Sequence, residues 1–220
     1  MTLAFLSLLA AINAVLFNVA FPNISRDLHL ASSQVSWIAI GYSMVVAIGS
    51  IIYGKLANAI SLHKLFLIGI GLFILDSLLG FSKHDSLGII ILARMLQASG
   101  GSAFITLAMV AVRLMIEPQR RPLAFSFISV GIALAIGLGP LIAGALISRF
   151  SWPILFLVML VSILAAWLLL SFTPPVNNLG GYKGFDYLGA TMLFFFIVML
   201  LVGVNLSYYY LLGAGGLLVV

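Results

Sequence analysis

Residues 87–112 read LGIIILARMLQASGGSAFITLAMVAV, a 26-residue run whose only charge is Arg94. About 20 apolar residues suffice for a helix to cross a bilayer, so this segment is long enough to span. A cation at that depth costs roughly 2.5–3.5 kcal/mol on insertion scales unless it faces protein or water. The segment therefore belongs inside a bundle, not alone in lipid. Six further runs flank it, giving expected spans over 2–22, 36–54, 65–82, 87–112, 122–147, 154–172 and 188–206. An eighth apolar stretch starts near residue 208 and runs uncharged to Val220, too short for a crossing, so the chain is expected to end within a membrane helix. The first apolar run is too long, and too poor in flanking bases, for a cleaved signal peptide.

Composition agrees with that reading. Of 220 residues 64% are hydrophobic and 7% charged, against about a quarter charged in soluble domains. The net charge of +5 is scattered without a basic patch, which excludes a nucleic-acid partner. The absence of cysteine removes disulfides, thiolate catalysis and Cys-based metal sites, and three isolated histidines make no metal cluster. Neither paired carboxylates, a Ser/His/Asp grouping nor a phosphate loop is legible, so neither an enzyme nor an ATP-driven pump is expected and no cofactor is implied.

Lys and Arg in the alternating connections set the orientation. Lys55, Lys64, Arg113, Arg120, Arg121 and Lys183 fall on one side, against Arg26, Lys83 and Arg149 on the other. The larger set puts the N-terminus in the cytoplasm of a multi-pass cell-membrane protein. Trp37 and Trp152 fall at outer span edges, where indole rings favour the headgroup region. Residues 54–68 and 144–158 also match at Gly, Leu, Ser and a Leu-Phe-Leu run, an offset of 90 residues or three spans. An odd number of spans per repeat inverts the second copy, an architecture common among secondary transporters.

Chemistry concentrates in few places. Arg94, Gln97 and Gly101 share one face of the fourth span. Asp76 lies about six residues below the outer edge of the third span, at the depth of Arg94 across a short turn, so an Asp76–Arg94 ion pair is expected, with an Asp76 turned outward to the interface as the alternative. Asn13 and Asn18, about 140° apart on the first span, cannot both face one narrow cavity. The fifth span carries Gly131, Gly137, Gly139, Pro140 and Gly144. There, Gly131, Ala135, Gly139 and Ala143 make a small-residue ridge for close helix approach, and Pro140 removes a helix hydrogen bond. Ala39, Ser43 and Ala47 form a similar stripe on the second span.

These segments together resemble the major facilitator superfamily. Gly54 to Lys64 is similar to its signature between helices 2 and 3, Leu92-Ala93-Arg94 with Gln97 and Gly100 to its helix 4 signature, and Gly131, Gly137, Gly139-Pro140 and Gly144 to the helix 5 motif of its exporters. Asn18-Val19-Ala20-Phe21-Pro22, the Trp37…Tyr42 spacing and Phe185-Asp186-Tyr187-Leu188-Gly189 resemble the fourteen-helix drug:proton antiporters, the tetracycline and multidrug efflux type. The resemblance implies an all-α polytopic protein. A six-helix N-terminal half with a 3+3 inverted repeat covers 1–172, a cytoplasmic connection 173–187, and one or two linking helices 188–220, the last incomplete. It implies a substrate cavity at Asn13, Asn18, Tyr42, Arg94 and Gln97, a gating loop at Gly54, Lys55, Asn58, Ser61 and Lys64, and an exporter hinge in the fifth span. Small amphipathic substrates leave in exchange for protons, the gradient being the energy source, and a C-terminal half or partner subunit completes the site within the lipid bilayer. Departures fall at Asn58 and Ser61, where the family has an acid and a glycine, at Asn13 or Ala14, where many relatives carry an acid, and at Ala98 and Ala143. A truncated, non-transporting membrane protein or a half-transporter needing a partner chain is the second reading. A reporter active only in the cytoplasm should give signal when fused after Glu117 and none after Asp85; the reverse pattern would invert the assigned orientation.

Overall fold

The computed structural model describes residues 2–158 together with 160, 189, 192 and 199. Five long helices account for most of them: α1 (Thr2–Asp27), α2 (Ser32–Leu56), α3 (Leu62–Ser82), α4 (Leu87–Met115) and α5 (Arg121–Arg149), with a short 3-10 turn at Pro118–Arg120. All five contain a stretch long and apolar enough to cross a membrane. A further helix begins at residue 154. The connection at 173–187, the stretch from 208 and nearly all of the expected spans 154–172 and 188–206 lie outside the described residues.

Each helix outruns its apolar segment. α1 continues through Pro22 to Asp27, beyond the span end expected at 22. Hydropathy marks where hydrocarbon ends, whereas the backbone ladder continues past it, with Arg26 exposed and the Ser25 hydroxyl donating to the Leu30 carbonyl (2.8 Å). The end of α1 is then closed by a Schellman motif: the Leu30 N–H donates to the Ser25 carbonyl (3.0 Å) and the His29 N–H to the Arg26 carbonyl (3.3 Å). His29 occupies the left-handed position (φ 52°) usually given to glycine. At the opposite end of the bundle Arg121 closes α4, its Nε donating to the Ile116 carbonyl (3.0 Å) and its Nη2 to that of Arg113 (2.8 Å).

α4 is the central helix and packs against each of the other four. Its middle, Gly100-Gly101-Ser102-Ala103, is fully buried. In water two adjacent glycines would cost a helix about 1 kcal/mol each. In lipid the backbone has no other partner and stays helical, so the glycines serve approach instead. A Cβ placed on Gly100 would meet the Phe73 ring at 2.6 Å and the Gly69 carbonyl oxygen at 2.7 Å, and Gly69 in turn faces Ala103 at 3.1 Å. Gly49 of α2 lies against the Ser102 side chain in the same way. The predicted ridge of α5 behaves as size dictates: Gly131, Ala135, Gly139 and Ala143 are its buried positions, together with Ile128. Gly131 faces the Ala4 carbonyl oxygen of α1 at 3.0 Å and Gly139 faces Val15 at 3.0 Å. The stripe expected on α2 behaves otherwise, with Ser43 and Ala47 exposed.

Trp152, just beyond the end of α5, is packed into the protein. It is 2% exposed, its Nε1 donates to Asp27 Oδ2 at 2.7 Å, and its ring meets His84 edge-on at 5.6 Å. The indole N–H thus takes the carboxylate at the end of α1, and its ring meets the segment that follows α3.

Gly100→Val should destabilise the detergent-solubilised protein by about 1–3 kcal/mol, the usual cost of overpacking, visible as a lower thermal unfolding midpoint. Gly137→Ala, whose added Cβ has nothing within 4 Å, should leave that midpoint unchanged; equal sensitivity at the two positions would contradict the packing described.

Candidate functional site

The site is built outward from Arg94. α4 presents Arg94 to the interior at 1% exposure, with Gln97 fully buried one turn further on. The guanidinium is held between two aromatic faces: its Cζ lies 4.3 Å from the ring centroid of Phe17 on α1 and 4.3 Å from that of Tyr42 on α2. A desolvated cation over an aromatic face gains about 2 kcal/mol or more. Two such contacts offset a large share of the cost of keeping a cation out of water, and the planar group fits the slot between the rings as an ammonium would not. Phe17 is braced from behind by Phe156, edge-on at 4.7 Å.

Around this sandwich lies a polar layer supplied by other helices. Asp76 and Ser77 of α3 and Asn13 of α1 are all within 2% of complete burial. Asp76 interacts electrostatically with Arg94 and Tyr42 and, through its side chain, with Gln97. Its buried position removes the alternative of an outward-facing carboxylate. The expected Asp76–Arg94 pairing takes a different form from direct contact: among the described residues the contact ion pairs are His84–Asp85 and Arg120–Glu117, both at 3.9 Å, so the two buried charges share one layer without touching. The aromatic rings cover the faces of the guanidinium and leave its N–H edge, the direction from which a carboxylate pairs, uncovered by them. Among the described residues, Asn13 Oδ1, Ser77 Oγ and Arg94 Nε and Nη1 are buried without a hydrogen-bond partner. Buried polar atoms in proteins are overwhelmingly partnered; a cluster of exceptions on three helices is a reserve of donors and acceptors available to a proton or to a ligand's polar groups.

Of the residues expected at the cavity, Asn13, Arg94 and Gln97 are buried here, Tyr42 is half-buried over the guanidinium, and Asn18 is exposed on another face of α1. Their 140° separation is the reason. Phe17 went unmarked in the sequence, although it stands at i+4 from Asn13 and so on the same face. Ser77, adjacent to Asp76, carried no signal that distinguished it from any other helical serine. The loop residues are mostly helix ends: Gly54 and Lys55 close α2, Asn58 is exposed in the turn, Ser61 sits at the N-cap position of α3 and Lys64 in its first turn. In α5, Gly131 and Gly139 face α1, while Gly137, Pro140 and Gly144 are exposed on the opposite side. Among the described residues no group of three or more His, Cys, Asp or Glu side chains could hold a metal ion.

Comparison with known proteins agrees over nearly the whole chain. A family model described as Major Facilitator Superfamily matches residues 3–215. The uncharacterized transporter YebQ of Escherichia coli (strain K12) is 32% identical over 189 residues, 84% of this chain and 40% of the relative. The methylenomycin A resistance protein of Streptomyces coelicolor is 28% identical over 184 residues, 83% of this chain and 36% of the relative. Among solved structures, a peptide transporter POT in complex with sulfate superposes with a TM-score of 0.71 at 17% identity, over 96% of this chain and 44% of that one. The chain thus spans less than half the length of these relatives.

Proposed function

The chain belongs to the Major Facilitator Superfamily, and from that premise we propose that it forms the N-terminal part of a secondary transporter that exports small amphipathic molecules in exchange for protons. The observation that carries the reading is the buried guanidinium of Arg94, clamped by Phe17 and Tyr42 within a layer of buried polar side chains, Asn13, Asp76, Ser77 and Gln97. An intramembrane cation of this kind is a functional site by default, because selection otherwise has every reason to remove it. In this reading residues 1–172 are one six-helix half, 173–187 a cytoplasmic connection and 188–220 linking helices. Arg94, Gln97, Tyr42 and Asn13 form the polar part of the substrate path, and Asp76, the one carboxylate inside the described helices' apolar cores, takes up and releases the proton. Export, rather than uptake, is supported by the helix 5 resemblance and by a relative named for resistance to methylenomycin A.

The packing suits such a role. α1 and α5 interlock through Gly131 and Gly139 and would move together as one wall. The opposite face of α5 is apolar and open, with Leu141 70% and Leu123 62% exposed. A second helical bundle docked on that face would complete the cavity, and it could come from the same polypeptide or from a partner subunit. In this reading residues Gly54 to Lys64 form the cytoplasmic gate, where Lys55 and Lys64 would meet the second half.

In the complete transporter, Arg94→Ala should abolish export of an amphipathic fluorescent dye from cells at unchanged membrane abundance, and Arg94→Lys should recover only a minor part, because an ammonium cannot stack in the aromatic slot. Unchanged dye accumulation in the alanine variant would remove Arg94 from the mechanism. In proteoliposomes Asp76→Asn should lose uphill export driven by an imposed pH gradient while retaining downhill dye exchange. Retention of both would show that the proton travels through another group.

A further inference from the structure

We propose that Trp152 is a positioning residue for Arg94: anchored on Asp27, it sets Phe156 behind Phe17 and so holds the guanidinium in its aromatic slot. The consequence for export rests on the transport reading, whereas the positioning rests on geometry alone. Four contacts run without a break from the end of α1 to the buried cation. The Trp152 Nε1 donates to Asp27 Oδ2 at 2.7 Å, the Trp152 and Phe156 rings lie 6.4 Å apart between centroids, Phe156 meets Phe17 edge-on at 4.7 Å, and the Phe17 ring lies 4.3 Å from the Arg94 Cζ. Trp152 is 2% exposed, and Phe156 and Phe17 are fully buried, so each ring is located by its neighbours and not by solvent.

The segment that carries both rings is itself tightly wound. The N–H groups of Ile154, Leu155 and Phe156 donate to the carbonyls of Ser151, Trp152 and Pro153 at 3.0–3.1 Å, which fixes Phe156 relative to Trp152. Asp27 is equally fixed, because it lies inside the hydrogen-bonded end of α1, where the Leu30 N–H donates to the Ser25 carbonyl and the Ser25 hydroxyl to that of Leu30. The turn therefore grips α1 at two levels, Asp27 and Phe17, roughly 15 Å apart along the helix, and two such points set both the height and the rotation of α1. Its third hold is on α3. A Cβ on Gly80 would collide with the Phe156 ring, and Gly80 stands at i+4 from Asp76 and i+3 from Ser77, on the same face of α3. One side chain thus packs against the clamp of Arg94 and against the helix face that carries the buried carboxylate. The indole N–H is what keeps that side chain in place: it is buried, and without its acceptor it becomes an orphaned donor, which gives the turn reason to shift.

The test labels the full chain, purified in a neutral detergent, with phenylglyoxal, which adds to guanidinium groups, and follows each arginine by peptide mass spectrometry. Arg94 should react slowly beside Arg120, whose side chain is 80% exposed. Asp27→Ala should raise the Arg94 rate about tenfold, the shift in opening that loss of one hydrogen bond to a charged group implies. Trp152→Phe, which keeps a ring and loses the donor, should do the same, with no further gain when the two are combined. Asp27→Asn keeps an acceptor and should restore most of the protection. Gly80→Ala, which displaces Phe156 from the α3 side and leaves the hydrogen bond in place, should also raise the rate. Val112→Ala, at a buried position far along α4, is the control: it should lower the thermal unfolding midpoint without changing Arg94 labelling. Arg94 reacting as fast as Arg120 in the unaltered chain, unchanged labelling in Asp27→Ala and Gly80→Ala, or a Val112→Ala rate that rises equally for an equal loss of midpoint would each overturn the proposal. In the complete transporter Asp27→Ala should raise the KM for dye export and leave the maximal rate; raised labelling with an unaltered KM would keep the positioning and remove Arg94 from the substrate path.

Discussion

A guanidinium can stay in the middle of a membrane bundle only if it faces protein or water, and here protein surrounds it, a condition that organises the described part of the molecule. Arg94 takes aromatic faces from α1 and α2, and α4 is slim one to two turns further on, where a Cβ on Gly101 would meet the Tyr42 hydroxyl at 3.6 Å. The buried run Gly100-Gly101-Ser102-Ala103 lets α3 approach until its Gly69 carbonyl touches the position a Cβ would take. In lipid no hydrophobic force drives helices together; packing contact does. Small residues at the centre of α4 thus bring α3, which carries Asp76 and Ser77, close against it.

The same physics explains where polar side chains ended up. Phe17 and Tyr42 hold the guanidinium's faces, while Asp76 and Arg94 interact at longer range within the same layer. Gln97 stands with the carboxylate instead. The outcome is a layer with more donors and acceptors than internal partners, an arrangement that costs stability and is therefore informative about use. The ends of the bundle show the opposite economy: Arg121 saturates the last carbonyls of α4, and Trp152 satisfies its N–H on Asp27, each joining two elements with one side chain.

Interior and exterior of α5 could not be separated by hydropathy. The helix is apolar all round, since lipid and protein both favour apolar side chains, so the usual periodic signal disappears. Size carried the information instead: glycine and alanine at every fourth position marked the face against α1, with Gly131 and Gly139 in contact and Gly137 and Gly144 open. The equivalent reading failed on α2, where Ser43 and Ala47 are exposed and the close approach to α4 runs through Gly41 and Gly49. A stripe of small residues permits approach on its face; whether a neighbour arrives depends on the rotation of the helix.

Sequence alone determined the number and position of the five described helices, the need to bury Arg94, and the separation of Asn13 from Asn18. Each of these is local: in hydrocarbon every backbone group must pair within its own helix, and angular position along a helix follows from residue spacing. Only the tertiary structure decided that Phe17 joins Tyr42 on the guanidinium, that Asp76 sits in the same layer without contact, that Asn18 faces outward, and that Trp152 turns inward to Asp27. Those outcomes depend on helix rotation and on approach distances summed over many small contacts between segments far apart in the chain, which no single stretch of sequence specifies.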